Sequence, residues 1–280
     1  MIISAMRAAM RDRYGPPEVV EVREVDRPTP EGDEVLVRVH VAAVNRADLD
    51  GIIPRWAFVR LFFGLRAPRV KTVGLDMAGV VEAVGPEATT FKPGDRVFAD
   101  MFSFGNTAFA DYVCASQEAF LRIPDDMSFE VAATLPHSAV LALQALRTRR
   151  GRTIRPGDKV LVDGASGNVG PFAVQIAKAM GAEVTGTAST AKLDFVRSLG
   201  ADHVIDYTTT DYTRGSERYD WIVDVDSHKP VLAVRRALKR GGVYVTCGGA
   251  ATRMLGAVFL GAVIGRATED GCWAPSSWAR

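Results

Sequence analysis

Hydrophobic and polar positions change their period near the middle of the chain. From about residue 5 to 120 the apolar residues come in short β-branched runs broken by turn residues: "EVVEVREVDRP", "DEVLVRVHVAAV", "AGVVEAVG", "DRVFADM" and "FADYVCAS". Alternation in "EVLVRVHV" sends Val35, Val37 and Val39 to one face and Leu36, Arg38 and His40 to the other, the two-residue period of a partly buried strand. Pro and Gly in "PEGDE" and "FKPGDRV" supply the reversals between strands. This half is predicted to be mainly β.

From about residue 155 strand-like and helix-like segments alternate: "KVLVDG", "GPFAVQIAKAMG", "EVTGTA", "TAKLDFVRSLG", "HVIDY", "DWIVDVD", "PVLAVRRALKRGG" and "GVYVTCGG". In the first helix Val169, Phe172, Ala173, Ile176, Ala177 and Met180 recur at three- and four-residue steps, and Gly181 is its C-terminal stop. Strands alternating with such helices imply βαβ crossovers and a parallel, doubly wound α/β sheet. Between the halves "EVAATLPHSAVLALQALR" reads as a helical segment interrupted by Pro136.

Composition narrows the function. With 280 residues, 48% of them hydrophobic, the chain can bury a sizeable core, and its length suggests about two domains. A formal charge of +1 argues against a protein that coats nucleic acid, and the one dense basic run, "RTRRGR", is short. Cys114, Cys247 and Cys272 are scattered and include no CxxC pair, which points to a reducing cytoplasm rather than a disulfide framework or a clustered zinc site. The N-terminus lacks a signal-like apolar stretch, and "MLGAVFLGAVIG" is shorter than the ~20 residues of a spanning helix.

The candidate chemistry lies where the first strand of the second half meets its helix. Gly164 and Gly167 suit a sharp turn that brings backbone near a ligand, and Gly170 lets the helix pack closely on the sheet. Free amides at the helix start, helped by its dipole, then face a pyrophosphate. Alone this spacing is a weak signal. Its setting, with a strand before it, an amphipathic helix after it and further βα units, makes it a dinucleotide cradle. About 20 residues on, where an acid would hold the ribose hydroxyls of NAD, the chain reads "GTASTAKLD". Ser189, Thr190 and Lys192 offer hydroxyls and a cation suited to a 2′-phosphate, so NADPH is the expected cofactor; Ser189 or Thr190 can also cap the following helix.

Together "VNRADL", "GLDMAGVVEAVG", "FKPGDRVFA", "FADYV", "AATLP", "GASGNVG" and "LGADHVIDY" resemble the medium-chain dehydrogenase/reductase superfamily, in its zinc-independent, quinone-oxidoreductase-like branch. The resemblance covers roughly residues 6 to 255. It implies a GroES-like, mainly β substrate domain over 1–125, a Rossmann NADPH-binding domain with a linker helix over 126–265, and a homodimer. It puts Asn45 beside the nicotinamide or substrate, where its amide can donate to a carbonyl, with Asp48 nearby. Loop capping is the alternative for Asn45, and a helix-start carboxylate the stronger reading of Asp48. Ser166, Gly167, Asn168 and Val169 would meet the pyrophosphate, Tyr207 would lie near the adenosine phosphate, and Gly248 and Gly249 would line the nicotinamide side. Leu141 stands where many relatives carry a Thr that bonds the cofactor.

Zinc-dependent relatives place a Cys near the start of the segment matching "VNRADL" and Gly-His-Glu where this chain reads Gly74-Leu75-Asp76. Those ligands are missing, so no metal is expected. What remains is hydride delivery to a quinone, an enone or another activated carbonyl compound, a small electrophile rather than nucleic acid or membrane. Two alternatives stay open: an alcohol or aldehyde oxidoreductase, and a dinucleotide-binding protein without turnover. "GRATEDGCWAPSSWAR" at the end shows neither periodicity nor a family motif. It reads as an atypical tail, 266–280, on a truncated chain whose Rossmann sheet is incomplete at its C-terminal end.

Overall fold

The computed structural model describes residues 5–53, 64–147, 151–226 and 228–248, together with the backbone of 273–275. The chain divides into two units, Met1–His137 and Ser138–Arg280.

In the first unit β1 (Ala5–Met10) pairs antiparallel with β2 (Glu21–Asp26). Five further strands, β3 (Glu34–Ala43), β4 (Asp76–Val84), β5 (Arg96–Asp100), β6 (Tyr112–Ser116) and β7 (Phe120–Arg122), form an antiparallel sheet in the order β6-β3-β4-β5-β7. Val35 and Val37 are fully buried, as the alternation predicts, and Val39 packs on the same core. Leu36 departs from it at 3% exposure. The register between β3 and β4 slips between Leu36 and Val37, and such an irregularity breaks the strict two-residue period. Helix α1 (Arg46–Ile52) follows β3, and α2 (Phe129–Ala133) closes the sequence before Pro136.

Helix α3 (Pro136–Ala145) carries the chain from the first unit into the second, and Pro136 is its first residue, a position that needs no N–H. Its strands β8 (Lys159–Asp163), β9 (Glu183–Ala188), β10 (His203–Asp206), β11 (Tyr219–Asp224) and β12 (Leu238–Thr246) are parallel neighbours in the order β10-β9-β8-β11-β12. Helices α4 (Gly170–Ala179), α5 (Leu193–Ser198) and α6 (Val231–Ala237) connect them. A short strand β13 (Trp273–Pro275) pairs in parallel with Tyr244–Thr246. The segment without periodicity thus supplies the strand at this end of the sheet among the described residues. On α4, Val169, Ala173 and Ala177 are buried while Phe172, Ile176 and Met180 are partly buried against the same core. Gly181 ends this helix with φ +84°. Trp221, fully buried, donates its indole N–H to the carbonyl of Ala145 at 2.8 Å and ties the end of α3 to β11.

Candidate functional site

In the second unit the strand order reverses beside β8, where open parallel sheets take their ligands at the carboxyl ends of the strands. The turn from β8 into α4 sits at that point. Gly164 alone among its glycines has a positive φ, +84°. Gly170 is required for space instead, and Gly167 is closely packed. A Cβ on Gly167 would lie 3.3 Å from the Gly164 carbonyl oxygen, and one on Gly170 only 2.3 Å from that atom and 2.6 Å from the Ala165 backbone. Asn106 is the one described non-glycine residue with positive φ, so Asn168 keeps an ordinary backbone despite its side chain. Val169 is buried, Ser166 half-buried and Asn168 exposed. The turn is pinned from beneath: Thr187 Oγ1 accepts the Gly164 N–H at 3.0 Å and donates to Asp163. Burial raises the pKa of Asp163, against the lowering by that hydroxyl. Asp224, paired in register with Asp163, is fully buried and receives the Tyr244 hydroxyl at 2.7 Å.

At the end of β9, Ser189 precedes a single 3-10 turn, Thr190–Lys192, and its side chain makes no capping bond there. Thr190 donates its hydroxyl to Asp206 at the end of β10, and Thr208 donates both hydroxyl and N–H to the same carboxylate. These bonds hold Asp206 below the usual carboxylate range. Sequence reading missed it: an anion stands beside the hydroxyl and cation proposed for a phosphate. Lys192 is exposed, as is Tyr207, whose N–H reaches the Ala188 carbonyl at 3.2 Å. Gly248 lies against β11, since a Cβ there would meet the Val225 carbonyl oxygen at 2.9 Å. Gly249 lies outside the described residues, as does most of the aromatic segment 56–65. Leu141, 9% exposed, packs in the core of this unit.

The first unit holds a second constellation. Asn45, 6% exposed, is the N-cap of α1, and its backbone N–H donates to Asp48 Oδ2 at 2.7 Å, the helix-start arrangement of an acid at the third position. The Asn45 amide donates to Asp76 Oδ2 at 2.9 Å. Asp76, at the start of β4 and wholly buried, also accepts the His137 backbone N–H. The His137 ring Nδ1 lies 3.0 Å from Asp100 Oδ2. Burial pushes the Asp76 carboxyl up to about 7, partly opposed by the Asn45 bond and the His137 charge. Asp48 is raised for the same first reason. Burial works against the charge on His137, but Asp100, Asp76 and Asp48 outweigh it and its pKa is raised. Asp76 as the partner of Asn45, with His137 and Asp100 beyond it, was missed in the sequence because lone histidines are usually uninformative. The available hint was an Asp at one end of each of two neighbouring strands.

Zinc does not fit this donor set. Both oxygens of Asp76 accept N–H donors, the Asn45 nitrogen is itself a donor, and among the described residues no three His, Cys, Asp or Glu groups converge as ligands. A dinucleotide fits the second unit, where the β8 to α4 turn is too tight at Gly170 for a Cβ and lies at the carboxyl end of β8. Among the described residues no helix is long and apolar enough to cross a membrane.

Residues 31–125 match the alcohol dehydrogenase GroES-like domain family, and residues 168–266 match the zinc-binding dehydrogenase family. The chloroplastic quinone-oxidoreductase QR1 of Triphysaria versicolor is 32% identical over 249 residues, covering 85% of this chain and 73% of the relative. Quinone oxidoreductase of Homo sapiens is 32% identical over 256 residues, covering 88% and 74%. The structure of the quinone oxidoreductase from Coxiella burnetii superposes with a TM-score of 0.78 at 29% identity, over 87% of this chain and 76% of that one.

Proposed function

Because the chain belongs to the medium-chain dehydrogenase/reductase superfamily, in its quinone-oxidoreductase-like branch, we propose that it reduces a quinone, an enone or another activated carbonyl compound with a nicotinamide dinucleotide, NADPH in preference to NADH. The observation that carries this reading is the β8 to α4 turn, closed so tightly at Gly170 that its own backbone leaves no room for a Cβ. Gly164, Ser166, Gly167, Asn168, Val169 and Gly170 hold the pyrophosphate through backbone amides and the α4 dipole. Ser189 and Lys192 take the 2′-phosphate, and Thr190 serves it less well because its proton is given to Asp206. Tyr207 borders the adenosine phosphate, with Gly248 and Gly249 on the nicotinamide side.

When bound, the dinucleotide supplies a hydride donor. The protein's part is alignment and polarisation. Asn45 donates a hydrogen bond to the acceptor carbonyl, where negative charge grows as the hydride arrives. Asp48 organises the start of α1 that carries Asn45 and takes no part in bond making. The test is incubation with C4-deuterated NADPH or NADH and a panel of quinones and enones. Deuterium on the β-carbon of a saturated product identifies enone reduction, and deuterium on a carbinol carbon identifies carbonyl reduction. A folded protein that consumes neither cofactor with any acceptor contradicts the proposal.

A further inference from the structure

Asp76 and Asp100 stand directly opposite one another on the antiparallel strands β4 and β5, a placement in which like charges repel. His137 lies between them. Its N–H donates to Asp76 Oδ1 and Oδ2 at 3.0 and 3.2 Å, and its ring nitrogen meets Asp100 at 3.0 Å. Asp76 touches Asn45 through the 2.9 Å amide bond. The charged groups facing His137 are Asp100 from β5, Asp76 from β4 and Asp48 from α1, with the Phe102 ring 6.3 Å away. Among the described ion pairs, none joins a Lys or Arg to any of these three carboxylates; Asp100 forms an ion pair with His137 and accepts the Phe102 N–H at 2.9 Å. Among the described residues the cation paired with this group is the His137 imidazolium.

We propose that Asp76 is a positioning residue that acts through Asn45: as a carboxylate it fixes the orientation of the Asn45 amide, and His137, held by Asp100, favours that carboxylate. An ionised Asp76 accepts only, so the NH2 end of Asn45 must face it and the carbonyl end is repelled. A protonated Asp76 can donate as well as accept, which weakens its hold on that orientation and leaves the capping contact of the Asn45 side chain at the start of α1 to keep it. Burial places the Asp76 titration near neutrality, His137 and Asn45 pull it down, and Asp100 pushes it up. The strength with which Asp76 holds the Asn45 amide thus changes over the neutral range. This rests on the proposed role of Asn45 in polarising an acceptor, but the coupling itself can be read without turnover.

The chain contains three asparagines, Asn45, Asn106 and Asn168, so selective 15N labelling gives three side-chain amide signals to assign. In the full-length protein without acceptor, the Asn45 amide signal is expected to titrate with a midpoint near 7, and kcat/KM for a quinone or enone to rise through the same midpoint while KM for NADPH stays constant. His137→Gln keeps the backbone N–H but removes the ring. It is expected to move both midpoints upward by about one pH unit or more. Asp76→Asn abolishes both titrations. An Asn45 signal that does not move across the neutral range overturns the proposal even if no variant folds, and so does a midpoint that His137→Gln leaves in place. Titration of Asn45 with no turnover on any acceptor keeps the positioning inference and defeats the reductase reading instead.

Discussion

Replacing Gly170 with alanine puts a methyl carbon 2.3 Å from the carbonyl oxygen of Gly164 and 2.6 Å from two backbone atoms of Ala165. No flexible side chain is there to yield, so the clash is relieved only by moving the turn away from α4. Overpacking of this kind costs about 1–3 kcal/mol. A melting temperature should fall by roughly 2–4 °C per kcal/mol in a chain of this size. Because the displaced segment is the proposed pyrophosphate cradle, NADPH binding should weaken about tenfold, the equivalent of 1.4 kcal/mol. The same chemical change at Gly51, inside α1, meets nothing within 4 Å. There alanine should stabilise by about 0.5–1 kcal/mol through helix propensity and leave NADPH affinity unchanged. Thermal melts and NADPH titrations of the two variants side by side give opposite signs if the close approach is real. A Gly170→Ala protein with wild-type melting and wild-type affinity refutes it.

Other outcomes follow from single contacts. Lys192→Ala should weaken NADPH by about tenfold and barely alter NADH, since only the former carries the 2′-phosphate; Asp206→Asn should tighten NADPH relative to NADH severalfold by removing an anion from the same rim, both measured as dissociation constants. Thr187→Val deprives the Gly164 N–H and Asp163 of their shared partner, and should cost about 1–3 kcal/mol in denaturant unfolding and weaken NADPH binding. Stability should fall as pH rises from 3.8 to about 7, because folded Asp76 retains a proton that the unfolded chain has released; the effect is worth roughly 4 kcal/mol at most. His137 acts in the same direction, its contribution present below the ordinary histidine pKa and lost as pH passes its raised folded value. Asp76→Asn should flatten the first of these slopes.

Much of the fold was legible because burial writes itself locally. The face of α4, the stop at Gly181 and the alternation of Val35 and Val37 depend on residues a few positions apart. The glycine turn was legible for the same reason, although sequence could not separate Gly164, needed for its φ, from Gly170, needed for space. Leu36 escaped because a register slip is decided by the partner strand. The Asp76, His137 and Asp100 constellation escaped more completely: 61 residues separate Asp76 from His137, and only the β4–β5 register brings Asp100 opposite. Asp206 was hidden in the same way, since its contact with Thr190 spans two strands that neighbour only in the folded sheet.

The central claim is that the second unit binds a nicotinamide dinucleotide through the turn at Gly164 to Gly170. Fluorescence titration of the purified chain with NADPH, and with NADH beside it, tests this most directly. Saturable binding of both, tighter for NADPH and weakened by Gly170→Ala, is the predicted result; a folded protein that saturates with neither contradicts the account.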